Sequence, residues 1–327
     1  MALEIITPGL STTVQDRGRS GYYNVGIPQC GSMDRYSSEI ANALVGNDSG
    51  PGTGAAVLEC SYVGPTFRVD AVTSIAVAGA PVEVKVNGEP RPQWARLELK
   101  PGDEVSFGVI KGGTKFCVAV RGGIDVPMVL GSRSTYVLGA FGGFQGRKLA
   151  AGDVLPIGVA NGPLPHAAQL PENHIPRFTG PRELRVIMGL YAHRLTERGR
   201  ALFLESEWTL TPVADRMGLR YDGPGVEWVE RKQPFGAGSD PSNIVDAGYA
   251  VGSIQIPGGT QPIVLHRDAV SGGGYAMVGT VISADMDLLA RSAPGTKTRF
   301  TEVTMDTALE ARRTEARRLR EAIASLG

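Results

Sequence analysis

The segment RGGIDVPMVLGSRSTYVLGAFGGFQGRKLAAGD, residues 121–153, combines closely spaced glycines with arginines. Arg121 stands before a Gly-Gly pair, and Arg133 lies inside the run Gly-Ser-Arg-Ser-Thr-Tyr. Glycines at this density allow positive φ and a close approach to a partner, and an arginine fork suits a carboxylate, a phosphate or a backbone carbonyl. The segment therefore predicts either loops that bind a ligand or a series of tight β-turns with solvated charges.

The composition favours a β-rich protein that acts on small molecules. The chain has 327 residues, with 44 glycines, 22 prolines and little helical periodicity, which indicates many short strands and turns. Its 33 basic and 33 acidic residues cancel, so the charge gives no reason to expect nucleic acid or a membrane as partner. No signal-peptide pattern and no membrane-length apolar run occur, and the three cysteines are widely spaced. We therefore expect a soluble, cytoplasmic protein without disulfides or a metal site.

Periodicity and composition divide the chain into four parts. A β domain over 1–160 precedes a proline-rich linker over 161–182, a second β domain follows over 183–303, and 304–327 form an amphipathic helix. Within the first part, Met33 to Leu44 has the spacing of a helix, with Ser32 as its cap and Gly46-Asn47 as its stop.

The loop after the second predicted strand is dense in polar groups. Gln15, Asp16, Arg17 and Arg19 crowd this loop and either orient a small polar ligand or form an internal Asp–Arg network that fixes the loop. Ser132 becomes a nucleophile only if a base reaches it, and its spacing supplies none.

In the second half, His266 and Asp268 are two positions apart and would share one face of a strand. Such a pair permits proton transfer, while a satisfied core or rim histidine is the other interpretation. No nucleophile elbow, Walker loop, zinc-protease motif or dinucleotide fingerprint occurs in the required context. The residues alone thus predict metal-free chemistry on a carboxylate-bearing small molecule, with arginines as anchors.

A set of motifs, taken in order along nearly the whole chain, resembles the biotin-dependent carboxyltransferase-like family, also called allophanate hydrolase subunit 2, KipA or the C subunit of 5-oxoprolinase. These motifs are VQDRGRSGYYNVGIPQCGSMD (14–34), ANALVGN (41–47), VLEC (57–60), RGGIDVP (121–127), LGSRSTY (130–136), GGFQGRKLAAGD (142–153), DRMGLR (215–220), GSIQIPGGTQPIVL (252–265) and GGGYAMVGTV (272–281). The chain departs from the family at 268–275, where DAVSGGGY replaces the frequent DRQTTGGY.

The resemblance implies a mostly β fold of two cyclophilin-like barrel domains with a few short helices and a C-terminal helix. It also implies a subunit that works with a KipI-like (allophanate hydrolase subunit 1) protein and a LamB/YcsF-type subunit in an ATP-dependent 5-oxoprolinase. The alternatives are a non-catalytic scaffold that antagonises a KipI-like kinase inhibitor, or a carboxyltransferase served by a separate biotin carrier. No lysine lies between two methionines, as it does in a biotin-acceptor motif, so we expect no covalently bound biotin. The resemblance also implies that ATP is a co-substrate of the complex.

On this hypothesis the arginines anchor an anionic substrate and the neighbouring polar groups orient or activate it. The predicted catalytic residues are Asp16, His266 and Asp268. The predicted substrate-binding residues are Gln15, Arg17, Arg121, Ser132, Arg133, Tyr136, Arg216 and Gln255.

Overall fold

The computed structural model describes residues 1–47, 52, 54–160 and 162–327. Strands dominate it, with four α-helices among the described residues, so the predicted mostly β fold with a C-terminal helix is confirmed. Two compact units form: one from Met1–Ser20, Cys30–Phe178 and Ala316–Gly327, the other from Gly21–Gln29 and Thr179–Glu315. This grouping differs from the predicted boundaries in three places: 21–29 join the second unit, most of the predicted linker (162–178) joins the first, and the predicted helix 304–327 is divided at residue 316. The predicted boundaries stay a prediction.

The first unit is built on two antiparallel sheets. Its strands are β1 (Ala2–Thr7), β2 (Ser11–Gln15), β3 (Val57–Ser61), β4 (Thr66–Val69), β5 (Thr73–Gly79), β6 (Val84–Val86), β7 (Glu89–Arg91), β8 (Arg96–Leu99), β9 (Glu104–Phe107), β10 (Lys115–Val120) and β11 (Val154–Pro156). One sheet has the order β11-β1-β4-β9-β6-β7 and the other β2-β3-β10-β5-β8. Apolar side chains of both sheets, such as Leu3, Phe67 and Val118, form one shared core.

Helix α1 (Arg35–Leu44) packs on β5 and β10 of the five-stranded sheet. It begins two residues later than the sequence predicted, because Asp34 rather than Ser32 is the cap, with its carboxylate accepting from Ser37 N at 3.2 Å. Upstream, the Met33 N–H donates to the Glu59 carboxylate at 2.7 Å, a long-range contact that periodicity does not reveal.

The second unit contains a closed seven-stranded barrel with the order β12-β19-β16-β17-β14-β13-β20. Its strands are β12 (Arg182–Met188), β13 (Trp208–Ala214), β14 (Gly218–Asp222), β16 (Ser253–Gln255), β17 (Ile263–Leu265), β19 (Met277–Val281) and β20 (Lys297–Glu302). A separate two-stranded sheet pairs β15 (Asn243–Gly248) with β18 (Gly272–Tyr275). Along each strand, side chains alternate between the interior and the exterior of the barrel, and Leu184, Tyr221 and Phe300 are among the buried ones.

Three further helices complete the fold: α2 (Glu197–Glu205), α3 (Met286–Ala290) and α4 (Met305–Ala324). Residues Ala322 and Leu326, at the C-terminal end, are buried in a cluster of the first unit that also contains Tyr36 of α1. Among the described residues, no helix combines the length and the apolar character needed to cross a bilayer.

Candidate functional site

The carboxylate of Asp16 lies at the centre of a buried network in the first unit. It accepts from the hydroxyls of Ser132 and Ser134, each at 2.6 Å, through Oδ1. Gly18 N also donates to Oδ1 at 2.8 Å, and Arg133 N donates to Oδ2 at 2.6 Å. A carboxylate can accept about four hydrogen bonds, so these four donors use its acceptor capacity. Asp16, only 4% exposed, is therefore placed to fix the segment 132–134, and its catalytic role stays a prediction.

The side chain of Arg133 leaves this network and ends in a partly exposed ion pair. Its Nη2 lies 2.9 Å from Asp125 Oδ1, and its Nε donates to the Val126 carbonyl at 3.0 Å. The side chain of Arg133 is 27% exposed and that of Asp125 is 55% exposed. A guanidinium and a carboxylate that stay in reach of solvent can exchange their mutual contact for a ligand.

This ion pair lines a cleft of about 290 Å³, whose wall consists of Asn47, Ala55, Ala56, Gly122, Gly123, Ile124, Asp125, Arg133, Gly158 and Val159. Much of its polar backbone is already bonded, as in the 2.7 Å contact of Gly122 N with Asn47 Oδ1. Among the described residues of the wall, the charged side chains are those of Arg133 and Asp125. The cleft is therefore suited to a small molecule that offers both an anionic group and a hydrogen-bond donor.

A glycine pair packs closely against the neighbouring residues Ser134 and Thr135. Gly142 has φ +69°, and a Cβ there would lie 2.2 Å from the Ser134 carbonyl oxygen. At Gly143 a Cβ would lie 1.8 Å from Thr135 Oγ1. The sequence prediction that glycines bring backbone close to a partner holds here, with the protein's own chain as the partner.

Arg19, which belongs to the polar loop but was not among the predicted substrate-binding residues, is a further functional candidate. It is 1% exposed, donates through Nη2 to the Ser134 carbonyl, and stands 4.9 Å from the centre of the Phe141 ring. Its Nε and Nη1 have no hydrogen-bond partner among the described residues. Buried guanidinium groups without acceptors are costly, so this position marks a second place where an anion would be stabilised.

Arg17, the neighbouring arginine that the sequence did single out, is held by a carboxylate. Its Nη2 lies 2.6 Å from Glu39 Oε2, and its Nε contacts Glu39 Oε1. Because Glu39 lies on α1, nothing in the local sequence distinguishes Arg17 from Arg19. This contact favours the internal-network interpretation of the loop over a ligand anchor at Arg17.

Three other predicted binding residues of the first unit contact their own chain. Gln15 donates to the Thr135 carbonyl at 3.2 Å, and its Oε1 accepts from Gly31 N at 3.1 Å. Tyr136 packs edge-on against Phe141 at 5.5 Å between ring centres.

Arg121, the third, donates to the carbonyls of Val45 at 3.0 Å and Gly162 at 2.7 Å. Like the hydrogen bonds of Gln15, these bonds tie the side chain to backbone groups of the same unit. The proposed binding roles of Gln15, Arg121 and Tyr136 stay predictions.

In the second unit, Arg216 and Asp268 form a two-point ion pair at 2.8 and 2.7 Å. Strand β17 ends at Leu265, so the alternation argument for His266 and Asp268 does not apply. His266 is fully buried, and its Nδ1 accepts from Arg267 N at 2.9 Å. The Asp268 carboxylate thus faces a guanidinium, and the proton-transfer pair of His266 and Asp268 stays a prediction.

Gln255, the remaining predicted binding residue, ends β16 and is 6% exposed. Its backbone is paired with Met277 of β19 and Ile263 of β17 inside the barrel sheet. The structure therefore places it in the wall of the barrel.

Comparison with known proteins places these features in a family. The chain is 32% identical over 315 residues to the C subunit of the Escherichia coli K12 5-oxoprolinase, and the match covers 96% of both chains. It is 33% identical over 319 residues to the urea amidolyase of Lachancea kluyveri, a match that covers 94% of this chain but only 17% of that protein. The crystal structure of the Kluyveromyces lactis urea carboxylase matches with a TM-score of 0.89 at 32% identity, over 97% of this chain and 29% of that one.

The family described as carboxyltransferase domain, subdomain A and B, matches residues 25–302, which include both the Arg133 cleft and the barrel of the second unit. The segments that form these features thus lie within the matched family region, and the mostly β fold agrees with that of the solved relative. On these grounds the chain belongs to the carboxyltransferase domain family, subdomains A and B.

Proposed function

We propose that this protein is the C subunit of an ATP-dependent 5-oxoprolinase, in which 5-oxo-L-proline is opened to glutamate. The observation that carries the proposal is the end-to-end match with a protein named as the C subunit of a 5-oxoprolinase, at 96% coverage of both chains.

The Arg133 cleft fits the two polar ends of such a substrate. 5-Oxoproline carries a carboxylate, which the Arg133 guanidinium would bind, and a lactam N–H, which would donate to the Asp125 carboxylate. Binding exchanges the 2.9 Å ion pair for two contacts with the ligand. The role of Asp16 is to hold the backbone of Arg133, which keeps the guanidinium directed into the cleft.

The same cleft is a poor match for ATP. A triphosphate needs several cations or a phosphate-binding loop, whereas this wall pairs its arginine with a carboxylate. We therefore assign ATP to another chain of the complex and propose that a KipI-like protein and a LamB/YcsF-type subunit are the partners. This chain would then hold the substrate while a partner supplies the activating chemistry.

The test is reconstitution. The three chains are co-expressed and purified together, and ATP-dependent release of glutamate from 5-oxoproline is measured for the full set and for each set that lacks one chain. The proposal requires release that disappears when this chain is left out. Full release without this chain would refute it.

A second candidate function is carboxyl transfer, and the observation that favours it is the likeness to a urea carboxylase at a TM-score of 0.89. Here the Arg133 cleft would bind the acceptor of the carboxyl group, and a separate biotinylated carrier would supply that group. Adding the carrier together with bicarbonate distinguishes the two functions: carboxyl transfer requires the carrier, whereas lactam opening proceeds without it.

A further inference from the structure

One end of the barrel in the second unit contains a buried layer of polar side chains. Arg182 opens β12, and Thr298 lies beside it in the register of β20. Tyr221, at the end of β14, faces the same interior, and Arg291 follows α3. Arg182 and Arg291 are each 7% exposed, and Tyr221 and Thr298 are fully buried. Cores of small barrels are normally filled by apolar side chains, so this layer requires an explanation.

Several donors of this layer have no well-formed hydrogen bond among the described residues. Arg182 Nη1 donates to the Thr179 carbonyl at 3.1 Å, but Nε and Nη2 have no partner within the described chain. The hydroxyls of Tyr221 and Thr298 lie near each other, and neither makes a bond of good geometry to a described residue. The large majority of buried donors in proteins are hydrogen-bonded, because a buried donor without an acceptor has lost its hydrogen bonds to water.

Two positively charged side chains act on each other at this end of the barrel. Burial lowers the pKa of Arg182, and the nearby charge of Arg291 lowers this pKa further. Asp287 lies 3.9 Å from Arg291, a long ion pair that belongs to the adjacent turn of α3. Burial raises the pKa of Tyr221 well above its ordinary value, so its hydroxyl keeps its proton and can donate. The buried guanidinium of Arg182 and the hydroxyls of Tyr221 and Thr298 therefore lie at the same end of the barrel, with a second guanidinium nearby.

We propose that this end of the barrel binds a small tetrahedral oxyanion, of the class of inorganic phosphate or sulfate. The ion would accept from Nε and Nη2 of Arg182 in the side-on geometry that guanidinium groups offer, and from the hydroxyls of Tyr221 and Thr298. Its charge would offset the repulsion between Arg182 and Arg291. The small exposed fraction of the two arginines excludes a larger phosphorylated molecule, so the ligand is the free ion.

The test measures thermal unfolding of the full chain in phosphate and in chloride at equal ionic strength. Phosphate stabilises many proteins without binding to a site, so the comparison uses two variants. Arg182→Met removes the proposed anion-binding group, and Arg299→Met removes an exposed arginine from the neighbouring strand β20. We expect phosphate to raise the Tm of the wild type and of R299M by about 5 °C more than that of R182M. An equal rise in all three proteins would overturn the proposal.

A second variant keeps the proposal testable if R182M does not fold. Tyr221→Phe retains the ring, which packs edge-on against Phe300 at 5.6 Å, and removes only the hydroxyl. Calorimetric titration with phosphate should give a Kd about tenfold higher for Y221F than for the wild type, because one hydrogen bond to an ion is lost. The idea would be contradicted by an unchanged Kd or by no binding to the wild type.

Discussion

The backbone N–H of Arg133 donates to the carboxylate of Asp16 at 2.6 Å, although 117 positions separate the two residues. This bond joins the polar loop after β2 to the glycine- and arginine-rich segment 121–153. Because the same carboxylate also binds Ser132 and Ser134, the backbone on both sides of Arg133 is held. The direction of the Arg133 side chain is thus set by Asp16, which makes Asp16 a positioning residue in the proposed site.

Replacing Asp16 with Ala should therefore damage the fold as well as the site. The change leaves buried donors of Gly18, Ser132, Arg133 and Ser134 without an acceptor, so we expect the free energy of unfolding to fall by about 3 kcal/mol or more. Urea unfolding measures this loss, with the exposed Glu89→Ala as the control. A midpoint for D16A equal to that of the control would show that the network contributes little.

The close packing of Gly142 predicts a strong effect from one added methyl group. Gly131 offers a matched control, because its φ of +76° is similarly strained for alanine but no atom lies within 4 Å of its Cβ position. We expect G131A to cost about 1 kcal/mol through its backbone alone, and G142A to cost at least about 2 kcal/mol more through the clash with the Ser134 carbonyl. Thermal unfolding of the two variants gives the comparison, and equal losses would contradict the packing argument.

Stability at low pH should depend on the pair of Arg147 and Asp153. Arg147 binds the Asp153 carboxylate at 2.8 and 2.7 Å, and this bond, together with Ala150 N, lowers the pKa of Asp153. A carboxyl whose pKa is lower in the folded state stabilises the fold above its unfolded pKa of about 3.9, and this contribution is lost as the pH falls through the folded value.

Arg147→Met should consequently lower the Tm at neutral pH, with a deficit that shrinks below about pH 4 as Asp153 becomes protonated in both proteins. Melting curves of the wild type and R147M across the acid range test this. A deficit that is constant with pH would mean that Arg147 acts by packing and not by its charge.

The sequence was sufficient to predict the features that depend on a local pattern of residues or on a set of motifs in order. The short strands, the helix at α1 and the C-terminal helix follow from periodicity, and the family follows from motifs that occur in order. What it could not provide were partners that tertiary structure brings together. Arg17 and Arg19 are alike in sequence, but α1 brings Glu39 to Arg17 alone.

The same reason accounts for the differences at the ends of elements. Helix α1 begins after Asp34, whose carboxylate accepts from Ser37 N, while the N–H of Met33 donates to Glu59 of β3. The end of β17 at Leu265 removes the strand geometry that would have aligned His266 with Asp268. The contact of Met33 with Glu59 and the end of β17 are features of the folded chain that a pattern of neighbouring residues does not reveal.

The central claim, that Arg133 anchors the substrate of a 5-oxoprolinase, is tested most directly by Arg133→Met in the reconstituted three-chain complex. Glutamate release from 5-oxoproline is measured against substrate concentration, with Arg91→Met on the exposed strand β7 as the control and with unfolding curves for both variants. We predict that R133M keeps its stability and its partners but loses at least about tenfold in kcat/KM, since one charged contact is removed. Release by R133M equal to that of R91M would contradict the account.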